Sequence, residues 1–305
     1  MGTLKGNNLR IFVYDETASK YKCVGMATSC TITMTNNTDQ ANTKDDVGLA
    51  TKPVTTSKSW QVQVESLDVS DVGAMLTDIK AQTKFKLLWD ETSTTNNQTI
   101  EEAPEARFGD AYLSDATFQF DDRTNSQKNL TFTGTGPINT ISTILDQEII
   151  PVSSSYTKGQ FIRLFLSSDN TSAPVAVLAA SKSLSIHVSM TMENMTTKDT
   201  TGEFEIQEAT ELSYDITTNA LVKSGETITS LVGGKNLGDL TSLYYSGTPV
   251  KWLIANVSGD NNRTKGAVIV SGLAILTQLQ INAAVRSNAT YDATLNGYGD
   301  YTVGS

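Results

Sequence analysis

The residues able to do chemistry are few and badly spaced for it. His187 is the only histidine in 305 residues, which leaves no pair of imidazoles for a zinc site and a single candidate base for a hydroxyl nucleophile. It sits in an alternating stretch and reads as an ordinary strand histidine. The adjacent carboxylates Asp45-Asp46, Glu101-Glu102 and Asp121-Asp122 would point apart in a strand, so they read as solvated charges rather than general acid/base pairs. Gly233-Gly234-Lys235 is followed by Asn236 and lacks the spacing of a phosphate-binding loop. The triplets Asn129-Leu130-Thr131 and Asn256-Val257-Ser258 are what a Thr/Asn-rich chain produces by chance, and no export signal supports glycosylation. Met190, Met192 and Met195 read as core and loop packing. Cys23 and Cys30 would bridge only if two strand ends met, and the expectation is two free, reduced thiols. No catalytic, cofactor-binding or metal-ligating set emerges, and the chain is expected not to be an enzyme.

The elements that carry these residues are written twice. Val24 to Leu67 forms a strand, a long polar stretch and a second strand, and its landmarks recur from Val177 onward. Ser29 matches Ser183, Ile32 matches Ile186, Thr43-Lys44-Asp45 match Thr197-Lys198-Asp199, Gly48 matches Gly202, Ser59 matches Ser213 and Trp60 matches Tyr214, each pair 154 apart. Composition bias gives local matches but no sustained register, so the chain reads as a duplication. The opening strands, Lys5 to Val13 and Lys158 to Leu166, align at 153.

Ile32 and Met34 alternate with Thr31, Thr33 and Thr35, as Ile186, Val188, Met190 and Met192 do later, the period of a sheet with one buried face. The stretch from Asn36 to Lys58 contains Pro53 and almost no apolar residues and is expected to be a long loop, with Glu193 to Glu211 as its counterpart. Trp60, Val62 and Val64 then face inward. Val72, Met75, Leu76 and Ile79 stand at helical spacing after Asp or Ser caps, and the second helix is expected around Asn236 to Tyr245, after an insertion from Lys223 to Lys235. Strands are expected at Lys84 to Trp89, Ala111 to Phe120, Val250 to Ala255 and Ala267 to Gln280. Leu130 to Gly136 and Thr290 to Gly299 close the two copies.

A formal charge of −10 argues against a phosphate-tracking surface. Thirteen basic residues face 20 acidic ones in residues 1–150, and 10 face 13 in the remainder. Met1 to Gly6 contains no apolar segment and no stretch is apolar for long enough to span a bilayer, so synthesis in the cytoplasm and no membrane partner are expected.

The Thr43-Lys44-Asp45-Asp46-Val47-Gly48 loop, followed by Lys58-Ser59-Trp60 and an alternating strand, resembles the major tail (tail tube) proteins of long-tailed bacteriophages. A short helix and the late Gly134-Thr135-Gly136 turn extend the resemblance to about residue 140. The second copy keeps Thr197-Lys198-Asp199 and Gly202 but has Tyr214 in place of the tryptophan.

The resemblance implies a mainly β chain of two tandem β-sandwich or barrel domains, each flanked by one short α-helix, over residues 1–140 and 157–305 with a linker at 141–156. It implies rings joined sheet to sheet and stacked into a tube, trimeric and pseudo-sixfold because each chain holds two copies. Duplex DNA would pass through without specific binding, along a neutral to acidic lumen. Tape measure, tail terminator and baseplate or tail-tip proteins would be the other partners, and the phage virion the destination. Thr43, Lys44, Asp45, Asp46, Gly48, Thr197, Lys198, Asp199 and Gly202 are the expected ring-stacking residues. A duplicated β-sandwich adhesin or decoration module is the alternative reading.

Overall fold

The computed structural model describes residues 9–16, 19–42, 44–45, 50–67, 69–91, 106–140, 147–148, 157–178, 180–222, 235–258 and 264–304. The first half runs through β1 (Leu9–Asp15), β2 (Lys20–Cys23), β3 (Ala27–Gln40), β4 (Pro53–Ser66), α1 (Val72–Lys80), β5 (Lys84–Glu91), β6 (Arg107–Asp121) and β7 (Gln127–Thr140). A short strand, β8 (Gln147–Glu148), lies parallel to β2. The second half runs through β9 (Ile162–Leu166), β10 (Ala176–Val177), β11 (Ser181–Asn194), β12 (Gln207–Leu221), α2 (Leu237–Ser246), β13 (Val250–Ser258), β14 (Thr264–Asn282), β15 (Thr290–Gly297) and β16 (Thr302–Val303). The expected insertion at Lys223 to Lys235, the Gly233-Gly234 pair and most of the joining segment lie outside the described residues.

The two halves share one strand order. The first is β2-β1-β5-β6-β7-β4-β3, and the second is β10-β9-β13-β14-β15-β12-β11. The irregularities repeat as well. Bulges interrupt β3/β4 between Ala27 and Ser29 and between Asn37 and Thr38, and they interrupt β11/β12 154 residues later. A bulge between Leu113 and Asp115 recurs between Leu276 and Gln278, 163 residues on. Its extra residue makes the same bond in both halves, Ser114 Oγ donating to the Thr131 carbonyl at 3.2 Å and Thr277 Oγ1 to the Thr294 carbonyl at 3.3 Å. A bulge bends its strand and re-aims the residues beyond it, so matched bulges fix the same curvature twice.

The polar stretch expected as a loop is in part ladder, at both of its ends. β3 continues to Gln40 and β4 begins at Pro53, with Asn37 opposite Ser57 and Gln40 opposite Pro53. The strands here run beyond the core with both faces largely in solvent, so no apolar alternation is needed and none appears. Pro53 is tolerated as the first residue of its strand. The second half does the same, β11 reaching Asn194 and β12 starting at Gln207.

The helices form where expected and are capped differently. Asn236 accepts from the Asp239 N–H while the Asp239 carboxylate accepts from the Asn236 N–H, and Gly247 ends α2 at φ 59°. That is a capping box and a left-handed C-terminal glycine. At α1 Asp71 occupies the N-cap without a side-chain cap, because its carboxylate pairs instead with the ammonium of Lys128, which is only 2% exposed. α1 buries Val72, Leu76 and Ile79.

One apolar core runs through both halves, and each half adds a small cluster on the reverse face of its outer strands, around Phe12 and Leu88 in the first and Phe165 and Leu253 in the second. Trp60 and Tyr214 occupy equivalent buried positions, 3% and 6% exposed. Each lies across two glycines. A Cβ on Gly134 would stand 2.1 Å from the Trp60 ring, and one on Gly297 would stand 2.5 Å from Tyr214. Trp60 then meets Trp89 at 5.4 Å and Tyr214 meets Trp252 at 5.7 Å between ring centroids. Gly134→Ala should therefore cost about 1–3 kcal/mol by overpacking, read as a lowered denaturation midpoint. An unchanged midpoint would show that the tryptophan can move aside.

Candidate self-assembly surfaces

The halves meet edge to strand. β11 adds antiparallel to the far part of β6, with Ser183 opposite Asp121, Ile186 opposite Phe118 and Ser189 opposite Asp115. The nearer part of β6 is already paired with β5, so the bend at the bulge frees this segment for the second half. Along the shared ladder Leu184, Ile186 and Val188 face the core at 2%, 1% and 0% exposure, with Ala116, Phe118 and Phe120 beside them at 0%, 0% and 2%.

His187 lies on the other face of the same ladder. Its Nε2 stands 2.7 Å from Asp115 Oδ2 on β6 and its Nδ1 stands 2.9 Å from Asp215 Oδ1 on β12. With both ring nitrogens engaged by carboxylates, neither is free to act on a substrate; the geometry makes a clamp between the halves. Burial disfavours the charged ring, but hydrogen bonds to Asp115 and Asp215 and their negative charges outweigh it and hold its pKa above the ordinary value. The sequence placed His187 in a strand; Asp215 stands opposite it on the next strand, and nothing in the sequence brought Asp115 alongside, since β6 belongs to the other half.

Two further contacts join the halves, and neither was legible in advance. The segment leading from the tip of the second polar arm back into β12 crosses onto β4 and β7. The Lys58 N–H donates to the Glu203 carbonyl, the Glu205 N–H to the Lys58 carbonyl at 2.9 Å, and the Gly136 N–H to the Glu205 carbonyl at 2.8 Å. Thr135 Oγ1 donates to the Gln207 carbonyl at 3.0 Å, and the Glu205 carboxylate accepts from Asn37 and Ser57. At the chain's end Tyr301 is fully buried and donates its hydroxyl to the Leu76 carbonyl of α1 at 2.6 Å, while Lys80 Nζ donates to the Tyr301 carbonyl at 2.8 Å. Burial raises the Tyr301 phenol's pKa.

Of the residues expected to stack rings, Lys44 and Asp45 form an exposed turn at the tip of the first arm, and Thr43, Asp46 and Gly48 lie outside the described residues. Thr197 accepts from the Asp199 N–H in the second tip, Lys198 is exposed beside it, and Gly202 takes φ 104°. Among the described residues no hydrogen bond or ion pair brings the two tips together. Nor does any cluster of three or more His, Cys, Asp or Glu among them offer to hold a metal ion. Cys23 and Cys30 are free, and burial pushes the Cys23 thiol up to about 11.

Among the described residues, no strand pairs with the outer side of the matching positions at the outer ends. Cys30 and Ile32 on β3 are only half-buried and Met34 is 49% exposed, although they correspond to Leu184, Ile186 and Val188. The apolar alternation expected to be buried in both copies is thus buried in one. At the end of β14 Leu279 is half-buried and Ile281 is 56% exposed, and just beyond the strand Ala283 is exposed, where the first half has Ala116, Phe118 and Phe120.

The clamp carries a pH signature. A raised pKa stabilises the folded chain fully below the unfolded histidine value of about 6.5 and loses that contribution as pH rises through the folded value. The thermal midpoint of the native chain should exceed that of His187→Gln near about pH 6, and the gap should narrow steadily in alkali. A gap independent of pH would show that the ring acts by packing alone.

No family model and no curated protein matches the chain. Solved structures do, each over about half of it. It is similar to a protein in the tail of an empty gene transfer agent particle refined with C6 symmetry, at 13% identity and a TM-score of 0.36, over 48% of this chain and 96% of the other. A second is from the virion of a native gene transfer agent, at 14% identity and a TM-score of 0.35, over 49% and 99%. A third is the SPP1 tail tube, at 13% identity and a TM-score of 0.32, over 48% and 78%.

Proposed function

We propose that the chain is a structural tail tube subunit that assembles with copies of itself, each half acting as one domain of a ring. The observation that carries this reading is the internal junction. One half presents a strand edge (β11) and the other a bent strand (β6), and the same pair of surfaces, β3 and the end of β14, recurs at the outer ends without a partner strand among the described residues. Such a contact is head-to-tail, so repetition closes a ring or runs on as a filament. Three chains would give a ring of six domains. Closure also removes two apolar sheet edges that would otherwise invite irregular pairing.

The offset of 154 and its partner of 163 set the register between molecules. Ile32 falls opposite Ile281, Thr33 opposite Gln280 and Met34 opposite Leu279, as Ile186, His187 and Val188 fall opposite Phe118, Thr117 and Ala116. The Thr43-Lys44-Asp45 loop and the Gly-x-Gly turn support the tail-tube reading of such a ring. The exposed tips at Lys44-Asp45 and Thr197-Asp199, with Thr43, Asp46, Gly48 and Gly202, are then assigned to contacts between stacked rings. The net negative charge suits a lumen along which duplex DNA slides without adhering.

Negative-stain images of concentrated protein should show rings or tubes, and a chain that stays monomeric at high concentration would overturn the reading. Ile281→Glu places a charge on a residue that is 56% exposed in the single chain, so its folding stability should change by no more than about 0.5 kcal/mol. Sedimentation should find it monomeric where the native chain assembles; normal assembly would assign the ring contact to other strands.

A further inference from the structure

A cleft of about 460 Å³ opens on the second half, lined by residues that include Glu211, Leu212, Tyr214, Gly297, Gly299 and Asp300. Its counterpart on the first half comprises Ser57, Lys58, Trp60, Gly134, Gly136 and Pro137, at offsets of 154 and 163. That counterpart is where the segment leading back from the second tip lies, with Phe204 bridged to Lys58 and the Glu205 carbonyl held by the Gly136 N–H. We propose that the open cleft receives Ala50–Pro53 from a neighbouring copy of this chain. The inference rests on the self-assembly reading and adds a second docking surface to the strand edge.

Ala50, Thr51, Lys52 and Pro53 stand 154 residues before Phe204, Glu205, Ile206 and Gln207. Three backbone bonds hold the internal segment, and the two made by Glu205 can be repeated by the backbone of Thr51; the bonds that use side chains, among them those of Glu203, Glu205 and Thr135, are not carried over. The Thr51 N–H would donate to the Leu212 carbonyl, and the Gly299 N–H to the Thr51 carbonyl. Gly299 has φ 72°, matching the 75° of Gly136, so its N–H is presented by the same left-handed turn. The positions matching the internal Lys58–Glu203 ion pair are Leu212 and Leu49, so any charge attraction comes from elsewhere in the segment. Internally, Glu203 of the segment pairs with Lys58 of the surface; between molecules, Lys52 of the segment approaches a cleft bearing Glu211, Asp215 and Asp300. Ala50 and Thr51 are exposed in the single chain, whereas Phe204 and Glu205 are half-buried by the internal contact.

The test is a disulfide between molecules. Ala50→Cys with Leu212→Cys reproduces the Phe204–Lys58 bridge, whose Cα spacing in a parallel pair suits a disulfide. Ala50→Cys with Thr210→Cys is slipped two residues along the strand and places the thiols out of range. Assembled under reducing conditions and then oxidised, the matched pair should yield covalent multimers ending at three chains, at least about tenfold more than the slipped pair or either single variant. Equal yields, or intact rings with no multimers, would overturn the docking while leaving the tube reading in place. Absence of any assembly from the native chain would overturn both. Thr51→Pro offers a check that leaves Leu212 intact. It removes the N–H that would donate across the interface from an exposed position, and should weaken assembly with the subunit still folded; assembly at the native concentration would count against the docking.

Discussion

The structure depends on one backbone ladder, the pairing of β11 with the far end of β6. A strand edge presents amide and carbonyl groups that must find partners in protein or water, and an apolar edge loses most if the partner is absent. Here the partner is the other copy of the same fold. The bulge at Ser114 bends β6 away from β5 and leaves the length between Asp115 and Asp121 unpaired on that side, and β11 takes it up with its apolar residues turned to the common core. The segment lying on Gly136 and the tail on α1 depend on that placement, since both belong to the half that β11 brings alongside.

The same geometry sets the two kinds of seam apart. Inside the chain His187 sits between Asp115 and Asp215. At the corresponding places of the outer ends stand Thr33, Gln278 and Gln61, which are uncharged. A covalently joined seam tolerates a titrating clamp, because the linkage keeps its effective concentration high. A seam formed between molecules without one holds its strength over a wider range of pH. On the proposed assembly, specificity would come from register and apolar fit, with the cleft on the second half as a further point of contact.

Much of the fold was legible in the residues. The alternation around Ile32 and Ile186, the helical spacing of Val72, Leu76 and Ile79, and the constant offset across Trp60 and Tyr214 each record a constraint that acts at every position of an element. The extent of the arms was not legible, because a ladder with both faces in solvent carries no apolar period. Nor was the clamp, whose three members lie on three strands, nor the roles of Glu205 and Gly136, which act through backbone groups that any residue possesses. The residues expected to stack rings rest on loop length and resemblance, and the structure adds only that Lys44, Asp45, Thr197, Lys198 and Asp199 lie at the exposed tips of the two arms.

The most direct measurement is amide hydrogen exchange on free and assembled protein, resolved by segment. Ser183–Ser189 are bonded on both sides within a single chain and should be protected in both states. In Ser29–Thr35 and Gln278–Ala284 the amides that point away from β4 and β15 should exchange readily in the free chain and approach the protection of Ser183–Ser189 on assembly, since a new ladder closes both edges. Assemblies in which those two segments exchange as fast as in the free subunit would contradict the central claim that the internal junction is repeated between molecules.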